Sequence, residues 1–253
     1  MDIIYGRNTV KAAIKSGRAL DKLLAAKELD DPSVREILTL ATQRHIPIVR
    51  VDKRKLDSLT MPFGHDGKPA NHQGVAAVTP AMEYAEVEDM LALAEQRGEP
   101  PFIILLDGVT DEGNLGSIIR SAEVLGAHGV IIGKHRSASL SGAVCKAASG
   151  AAELLPVAKV TNLTMTIESL KAKNIWVVAA DADAPAADTI NMAGATALVI
   201  GAEGEGISRL VLEACDLKAS IPMKGKTGSL NAAVAAAVLM YEKVRQDAAK
   251  KRG

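Results

Sequence analysis

Phe102-Ile-Ile-Leu-Leu-Asp107, followed by Gly-Val-Thr-Asp-Glu-Gly-Asn114-Leu-Gly-Ser-Ile-Ile-Arg120, decides the fold class of this 253-residue chain. The first six residues are an apolar run ending in one carboxylate, as expected for a strand buried on both faces. The segment after them opens a helix whose apolar period runs over Leu115–Leu125. The alternation continues downstream. Gly129–Gly133, Glu153–Val157, Ile175–Ala180, Thr196–Gly201 and Leu217–Ile221 read as strands. Ser139–Ser149, Leu163–Lys173, Ile207–Ala214 and Leu230–Arg245 read as helices. Strands alternating with helices predict a parallel α/β sheet covered on both faces. Ligands of such sheets sit beyond the carboxyl ends of the strands, so the chemistry belongs in the loops that follow them.

Upstream of Phe102 the pattern changes. Residues 3–17 read as a short strand entering a helix, with Val10, Ala13 and Ile14 at helical spacing. Leu20–Ala26, Ile46–Val51 and Gly74–Val78 are strand candidates between turn signals, and Pro32–Thr42 reads as a helix. Met61–Gln73, with two prolines, two glycines and two histidines, reads as a loop. These elements make a small α/β module over residues 1–80. Val87–Ala94 fits a helix, which Glu99-Pro100-Pro101 ends. Residues 81–101 are expected to be a linker, and 102–253 a second domain. Charge follows the same division. Residues 1–80 hold 13 Lys/Arg against 9 Asp/Glu, residues 81–100 hold 1 against 6, and the remainder 16 against 15. A weakly basic module, an acidic connector and a neutral body result.

Composition excludes several classes. Lys+Arg and Asp+Glu are both 30, so no overall basic charge advertises nucleic acid. Six aromatic residues are too few for base stacking to be a main device. Cys145 and Cys215 are too few for a disulfide framework. His45, His65, His72, His128 and His135 have no metal spacing, and each is expected to be solvated or capping. The start, MDIIYGRN, lacks a signal-peptide apolar region, and the run Ala232–Met240 is too short to cross a bilayer. A cytoplasmic protein is expected.

Three loops carry the chemistry. In Asp107–Arg120, Asn114 and Ser117 are positioned to cap the helix, with Arg120 further inside it. Gly201-Ala-Glu203-Gly-Glu205-Gly-Ile-Ser is glycine-rich after a strand, but two glutamates and no lysine repel a pyrophosphate. A cationic or hydroxyl-rich ligand fits it better. Ile221-Pro-Met-Lys-Gly-Lys-Thr-Gly-Ser229-Leu-Asn231 imitates a P-loop at Gly225-Lys226-Thr227. Position 220 is Ser where that motif needs Gly, and Gly228 interrupts the helix start, so the ATPase reading fails. Ser229 or Asn231 can cap the final helix, and Ala232–Ala237 suits close helix packing in the core or across a dimer. There is no GxGxxG and no GxSxG, which disfavours an NAD-linked oxidoreductase.

The segments DGVTDEGNLGSIIRSAEVLGAHGVII, ALVIGAEGEGIS and IPMKGKTGSLNAAVAAAVLMYE, in this order, resemble the SpoU (TrmH) family of SPOUT RNA ribose 2′-O-methyltransferases. The N-terminal IYGRNTV and HQGVAA resemble that family's ribosomal-protein-L30-like RNA-binding domain. With VTNL at 160–163 they place the chain nearest the branch that methylates a guanosine of 23S rRNA. The resemblance implies a parallel-sheet catalytic domain with a C-terminal trefoil knot, S-adenosylmethionine as cofactor, no metal, and a homodimer that can share its active site. Gly201, Ile221 and Leu230 match cofactor-contacting positions. Asn114, Arg120, Glu203, Ser229 and Asn231 match active-site positions. In the family, Arg120's counterpart is proposed to help deprotonate the ribose hydroxyl, often from a neighbouring subunit. A guanidinium stays protonated, so holding the adjacent phosphate is an equally physical role. Asn114, Ser229 and Asn231 would position the ribose and the loops, and Glu203 would orient Arg120 or a loop amide. Arg7, Lys11, Arg50, Lys53, Arg54 and Lys55 are candidate phosphate contacts of the N-terminal module. Lys224-Gly-Lys-Thr-Gly228 is more basic than that branch's pattern and suits contact with RNA. A tRNA methyltransferase of the same family, or a non-catalytic RNA-binding relative, are the alternatives.

Overall fold

The computed structural model describes residues 2–64, 66–80, 82–225 and 228–250. The chain forms two compact units. One comprises the residues through Glu83 together with Ser139–Leu154, the other Tyr84–Ala138 with the residues from Leu155 onward. Among the described residues no helix is long and apolar enough to cross a membrane.

The first unit is built on a four-stranded sheet of β1 (Asp2–Tyr5), β4 (Val75–Thr79), β2 (Lys22–Ala26) and β3 (Ile48–Val51), in the order β1-β4-β2-β3. β4 is antiparallel to both its neighbours, and β2 and β3 are parallel. Helix α1 (Arg7–Ser16) buries Val10, Ala13 and Ile14 and stops at Gly17, whose φ of 83° is the left-handed value favoured after a helix. Helix α2 (Pro32–Gln43) starts where the Asp31 carboxylate accepts the Ser33 and Val34 amides, with Pro32 in the first turn. Its stripe Val34, Ile37 and Ala41 is fully buried. A helix the sequence pattern did not announce, α3 (Lys53–Thr60), seals the opposite face with Leu56 against Tyr5, Leu24 and Val78. Met61–Phe63, read as loop, is a single 3₁₀ turn.

Ser139–Leu154 belongs to this unit, although its sequence reads as one more step of the downstream alternation. It carries the short helix α6 (Gly142–Ala147) and a 3₁₀ turn at Ala151–Glu153, where a strand over Glu153–Val157 was expected. Two glycines let it dock. A Cβ on Gly142 would stand 2.1 Å from the Ile3 carbonyl oxygen, and one on Gly150 (φ +98°) would stand 2.5 Å from the Ala12 Cβ. The Thr9 hydroxyl donates to the Cys145 carbonyl at 3.3 Å. Arg18 pairs with Glu153 at 2.6 Å, and the two side chains are 11% and 4% exposed. Arg18 also donates to the Thr79 hydroxyl and the Pro80 carbonyl.

The second unit is a six-stranded, wholly parallel sheet: β5 (Phe102–Asp107), β6 (Gly129–Gly133), β7 (Val157–Val160), β8 (Trp176–Ala180), β9 (Thr196–Gly201) and β10 (Leu217–Ala219). Their order is β10-β8-β9-β5-β6-β7. Five of the six β5 residues are buried, which explains its unbroken apolar run. Helices α5 (Glu112–Val124) and α9 (Ala232–Lys250) pack on each other, as do α7 (Leu163–Lys171) and α8 (Arg209–Ala214). The stretch expected to be a linker is mostly structure. Helix α4 (Val87–Arg97) buries Met90 so closely on Gly129 that a Cβ there would stand 2.3 Å from its sulfur. The acidic residues mark its start: Glu86 and Asp89 form a reciprocal capping box, and Glu88 and Asp89 favour the positive end of the helix.

Two of the histidines expected to be solvated or capping are buried and act as caps. His72 accepts the Gly74 amide on Nδ1 and donates from Nε2 to Asp57. His128 accepts the Phe102 amide at 3.0 Å and lies 3.2 Å from a Glu99 carboxylate oxygen. Both still cap backbone amides. His65 lies outside the described residues. Desolvation holds the His128 pKa below its ordinary value, against the pull of Glu99.

Removing one partner of a buried ion pair strands the other, at a cost of about 3–5 kcal/mol. Glu153→Ala should therefore lower unfolding free energy by about that much, measured by urea titration; a loss under about 1 kcal/mol would show that Arg18 finds another anchor. His128 gives a pH dependence. The unfolded chain takes up its proton first as pH falls below about 6.5, so this contribution is full above that pH and declines below it, by up to about 1.4 kcal/mol per unit. His128→Asn should flatten the decline.

Candidate functional site

All six strands of the larger sheet point their carboxyl ends to one edge. There a cavity of about 580 Å³ opens among the loops after β8, β9 and β10. Asp181, Asp183, Glu203 and Glu205 line it with Ile200 and Ile221, and no lysine or arginine does so among the described residues. The predicted cofactor positions Gly201, Ile221 and Leu230 all lie on its wall, and Ser229 stands beside them. Lys226 and Thr227, the P-loop-like pair, fall outside the described residues.

Backbone geometry shapes the glycine-rich wall. Ala202 and Gly206 exchange amide-to-carbonyl bonds at 3.0 and 2.9 Å, closing a turn over Glu203–Glu205. Gly201 can only be glycine, because a Cβ would stand 2.2 Å from the Gly206 carbonyl carbon. The Asp107 carboxylate accepts the Ser208 amide at 2.7 Å and fixes the exit of the loop. Asp107 was legible only as the end of a strand; its register opposite Gly201 makes it a loop anchor. Arg136 reaches Glu205 at 3.0 Å, with both side chains about three-quarters exposed.

Three of the five predicted active-site residues meet at one point. Asp111, and not Asn114 or Ser117, caps α5, accepting the Asn114 amide at 2.7 Å. That leaves the Asn114 side chain for another use. Asn231 caps α9, its Oδ1 accepting the Ala233 and Val234 amides. Its Nδ2 donates to Asn114 Oδ1 at 2.9 Å and to Glu203 Oε2 at 3.2 Å. Asn114 Nδ2 donates to the same Glu203 oxygen at 3.4 Å. Glu203 thus takes its hydrogen bonds from two amides rather than from Arg120. Arg120 is exposed on α5, about 9 Å along the axis from Asn114, and lines neither this cavity nor the α5–α9 groove.

The candidate phosphate contacts of the first unit separate into two groups. Arg7 pairs with Asp31 at 2.5 Å and donates to the Gln73 carbonyl. Lys11 pairs with Glu36 at 2.5 Å, and Arg50 donates to the Ala26 and Leu29 carbonyls. The Val34 amide holds the Asp31 carboxyl below its usual range, and Lys11 does the same for Glu36. Lys53, Arg54 and Lys55 are exposed in the first turn of α3, without an ion pair among the described residues. Three cations at the positive end of a helix repel it and one another, and an arriving phosphate would relieve both.

Known proteins resemble this chain over nearly its whole length. The SpoU rRNA methylase family matches residues 101–241, and a domain described as RNA 2′-O ribose methyltransferase substrate binding matches residues 3–85. A Bacillus subtilis protein named for the TrmH family of tRNA/rRNA methyltransferases, YacO, is 44% identical over 97% of this chain and 96% of its own. A Staphylococcus saprophyticus protein of the same description is 42% identical over 96% and 95%. Among solved structures, the SpoU methyltransferase AviRb of Streptomyces viridochromogenes superposes with a TM-score of 0.80 at 27% identity, over 98% of this chain and 90% of its own. In its complex with the cofactor AdoMet the TM-score is 0.79 at 28% identity, with the same coverage. The two-unit chain, with its paired asparagines beside an acidic cavity, belongs to the SpoU (TrmH) family of RNA methyltransferases.

Proposed function

We propose that this protein transfers the methyl group of S-adenosylmethionine to a ribose 2′-hydroxyl of RNA, with a guanosine of 23S rRNA as the favoured target and tRNA as the alternative. The observation that carries the reading is the Asn114–Asn231–Glu203 cluster, whose Glu203 is also a wall residue of the cavity. The cavity suits the cofactor. Its carboxylates match a ligand bearing a sulfonium and an ammonium, and its apolar wall at Ile200, Ile221 and Leu230 suits a purine ring. Gly201, Ile221 and Leu230 would hold it, and when bound it supplies an electrophilic methyl group. The curated relatives' names allow both rRNA and tRNA. The family description names rRNA, and a tRNA-modifying enzyme of A. aeolicus matches 65% of this chain, less than its full length.

The chain's own residues supply alignment and proton handling. Asn231 and Asn114 fix Glu203 Oε2, and among the described residues Oε1 has no partner, so it can accept the hydrogen bond of the ribose hydroxyl. Fixing that oxygen in line with the methyl is worth much of the barrier. Ser229 stands on the same wall to hold the ribose, and Arg120 is suited to the neighbouring phosphate. The α5–α9 groove, lined by Ser117, Ser121, Val234, Val238 and Tyr241, adjoins Asn114 and Asn231 and leaves Val234, Val238 and Tyr241 exposed. A second copy of the chain covers this face in our reading, bringing its own Arg120 near the cluster. The C-terminal trefoil threading and a cytoplasmic location belong to the same proposal.

Asn231→Asp keeps a capping oxygen but loses both amide donors. It should lower kcat on rRNA transcripts by about 10²-fold or more while cofactor affinity, by calorimetry, stays within a few-fold. Equal loss of both would make Asn231 purely structural, and no methyl transfer by the native protein to rRNA or tRNA would end the reading. Val238→Glu should yield a monomer by light scattering and lose activity together with the dimer; a monomeric native protein would remove the second subunit from the mechanism.

A further inference from the structure

Lys146 lies within the stretch that matches the methylase family, yet it folds with the N-terminal unit. It sits on α6, half-buried, with Nζ 6.0 Å from the centre of the Tyr5 ring. The ring is itself held by stacking on Phe63 at 5.4 Å. Room for the ammonium exists because residue 6 is glycine: a Cβ there would stand 2.1 Å from Nζ. Among the described residues the cation faces no anion. Arg7, Lys11 and Arg18 of this unit each have a carboxylate, at Asp31, Glu36 and Glu153. Lys146 has no ion pair among the described residues, and burial alone pushes its pKa down. A partly desolvated ammonium whose only compensation is an aromatic face costs stability.

We propose that Lys146 is a phosphodiester-binding residue of the RNA grip, contributed to the N-terminal unit by the segment Ser139–Leu154. Its ammonium, anchored over Tyr5 beside Gly6 and Arg7, takes one backbone phosphate of the substrate RNA. The inference rests on the RNA-methylation reading above and adds to it a contact outside the 1–80 module. Docking of Ser139–Leu154 through Arg18–Glu153, Gly142 and Gly150 is then part of how RNA is bound, because it sets where this cation stands.

The test uses the full-length protein and two probes, transcribed 23S rRNA and bulk tRNA, in filter binding over a KCl series. Neutralising one phosphate contributes about 0.7–0.9 to the slope of log affinity against log salt. Lys146→Met keeps the aliphatic stem over Tyr5 and removes the charge. It should lower the slope by about that amount and weaken binding several-fold at low salt. Its melting temperature should be unchanged or higher, and cofactor affinity should stay the same. Lys146→Arg should restore most of the slope, and Lys173→Ala, an exposed lysine of the other unit, should leave it alone. A Lys146→Met protein with the native slope overturns the proposal, as does one that melts lower and binds cofactor less well, which would make Lys146 a packing residue. If the native protein binds neither probe, the RNA reading itself fails, an outcome distinct from loss of the Lys146 effect alone.

Discussion

The site depends on the direction of the strands. In a wholly parallel sheet every strand end lies at the same edge, so loops far apart in sequence must converge there. Register completes the arrangement: Asp107 pairs opposite Gly201, and Ala180 opposite Ala219. Asp107 can therefore reach across to the Ser208 amide and hold the glycine-rich loop from a neighbouring strand. Without that constraint the acidic cavity would have no fixed wall.

Within that frame, one side chain both starts a helix and orders the polar cluster, through different atoms. Asn231 starts α9 with its carbonyl oxygen and aligns Asn114 and Glu203 with its amide nitrogen. Asp111 starts α5 and so frees Asn114 from the same duty. The helices define where the three polar groups stand, and their packing on each other keeps the groups within hydrogen-bond reach. A rigid carboxylate presented to a ligand costs no reorganisation when the ligand arrives.

The smaller unit shows where pattern reading stops. Ser139–Ser149 has helical period and small residues, and nothing in that period says which core it joins. The deciding features are two close approaches, Gly142 beneath Ile3 and Gly150 against Ala12, and one ion pair, Glu153 with Arg18, all between residues more than 130 apart in sequence. Helix α3 is masked in the sequence for a related reason. Lys53-Arg54-Lys55 and Asp57 give it a polar composition, and only Leu56 and Thr60 are buried. The acidic run at 81–100 has the composition of a connector, but capping geometry makes Glu86 and Asp89 the start of α4.

The α/β class, the parallel sheet from Phe102 onward, the three loops and the residues in them are legible in the chain's local pattern. Those follow from local periodicity and from glycines and caps at fixed offsets, which act over a few residues. Only packing reveals that Asn114, Glu203 and Asn231 share one network that does not include Arg120, and that Arg7, Lys11 and Arg50 are engaged within their own unit. It alone moved Ser139–Leu154, with Lys146, into the N-terminal unit. Side-chain pairing and close backbone approach are distances between remote segments, and no periodicity encodes them.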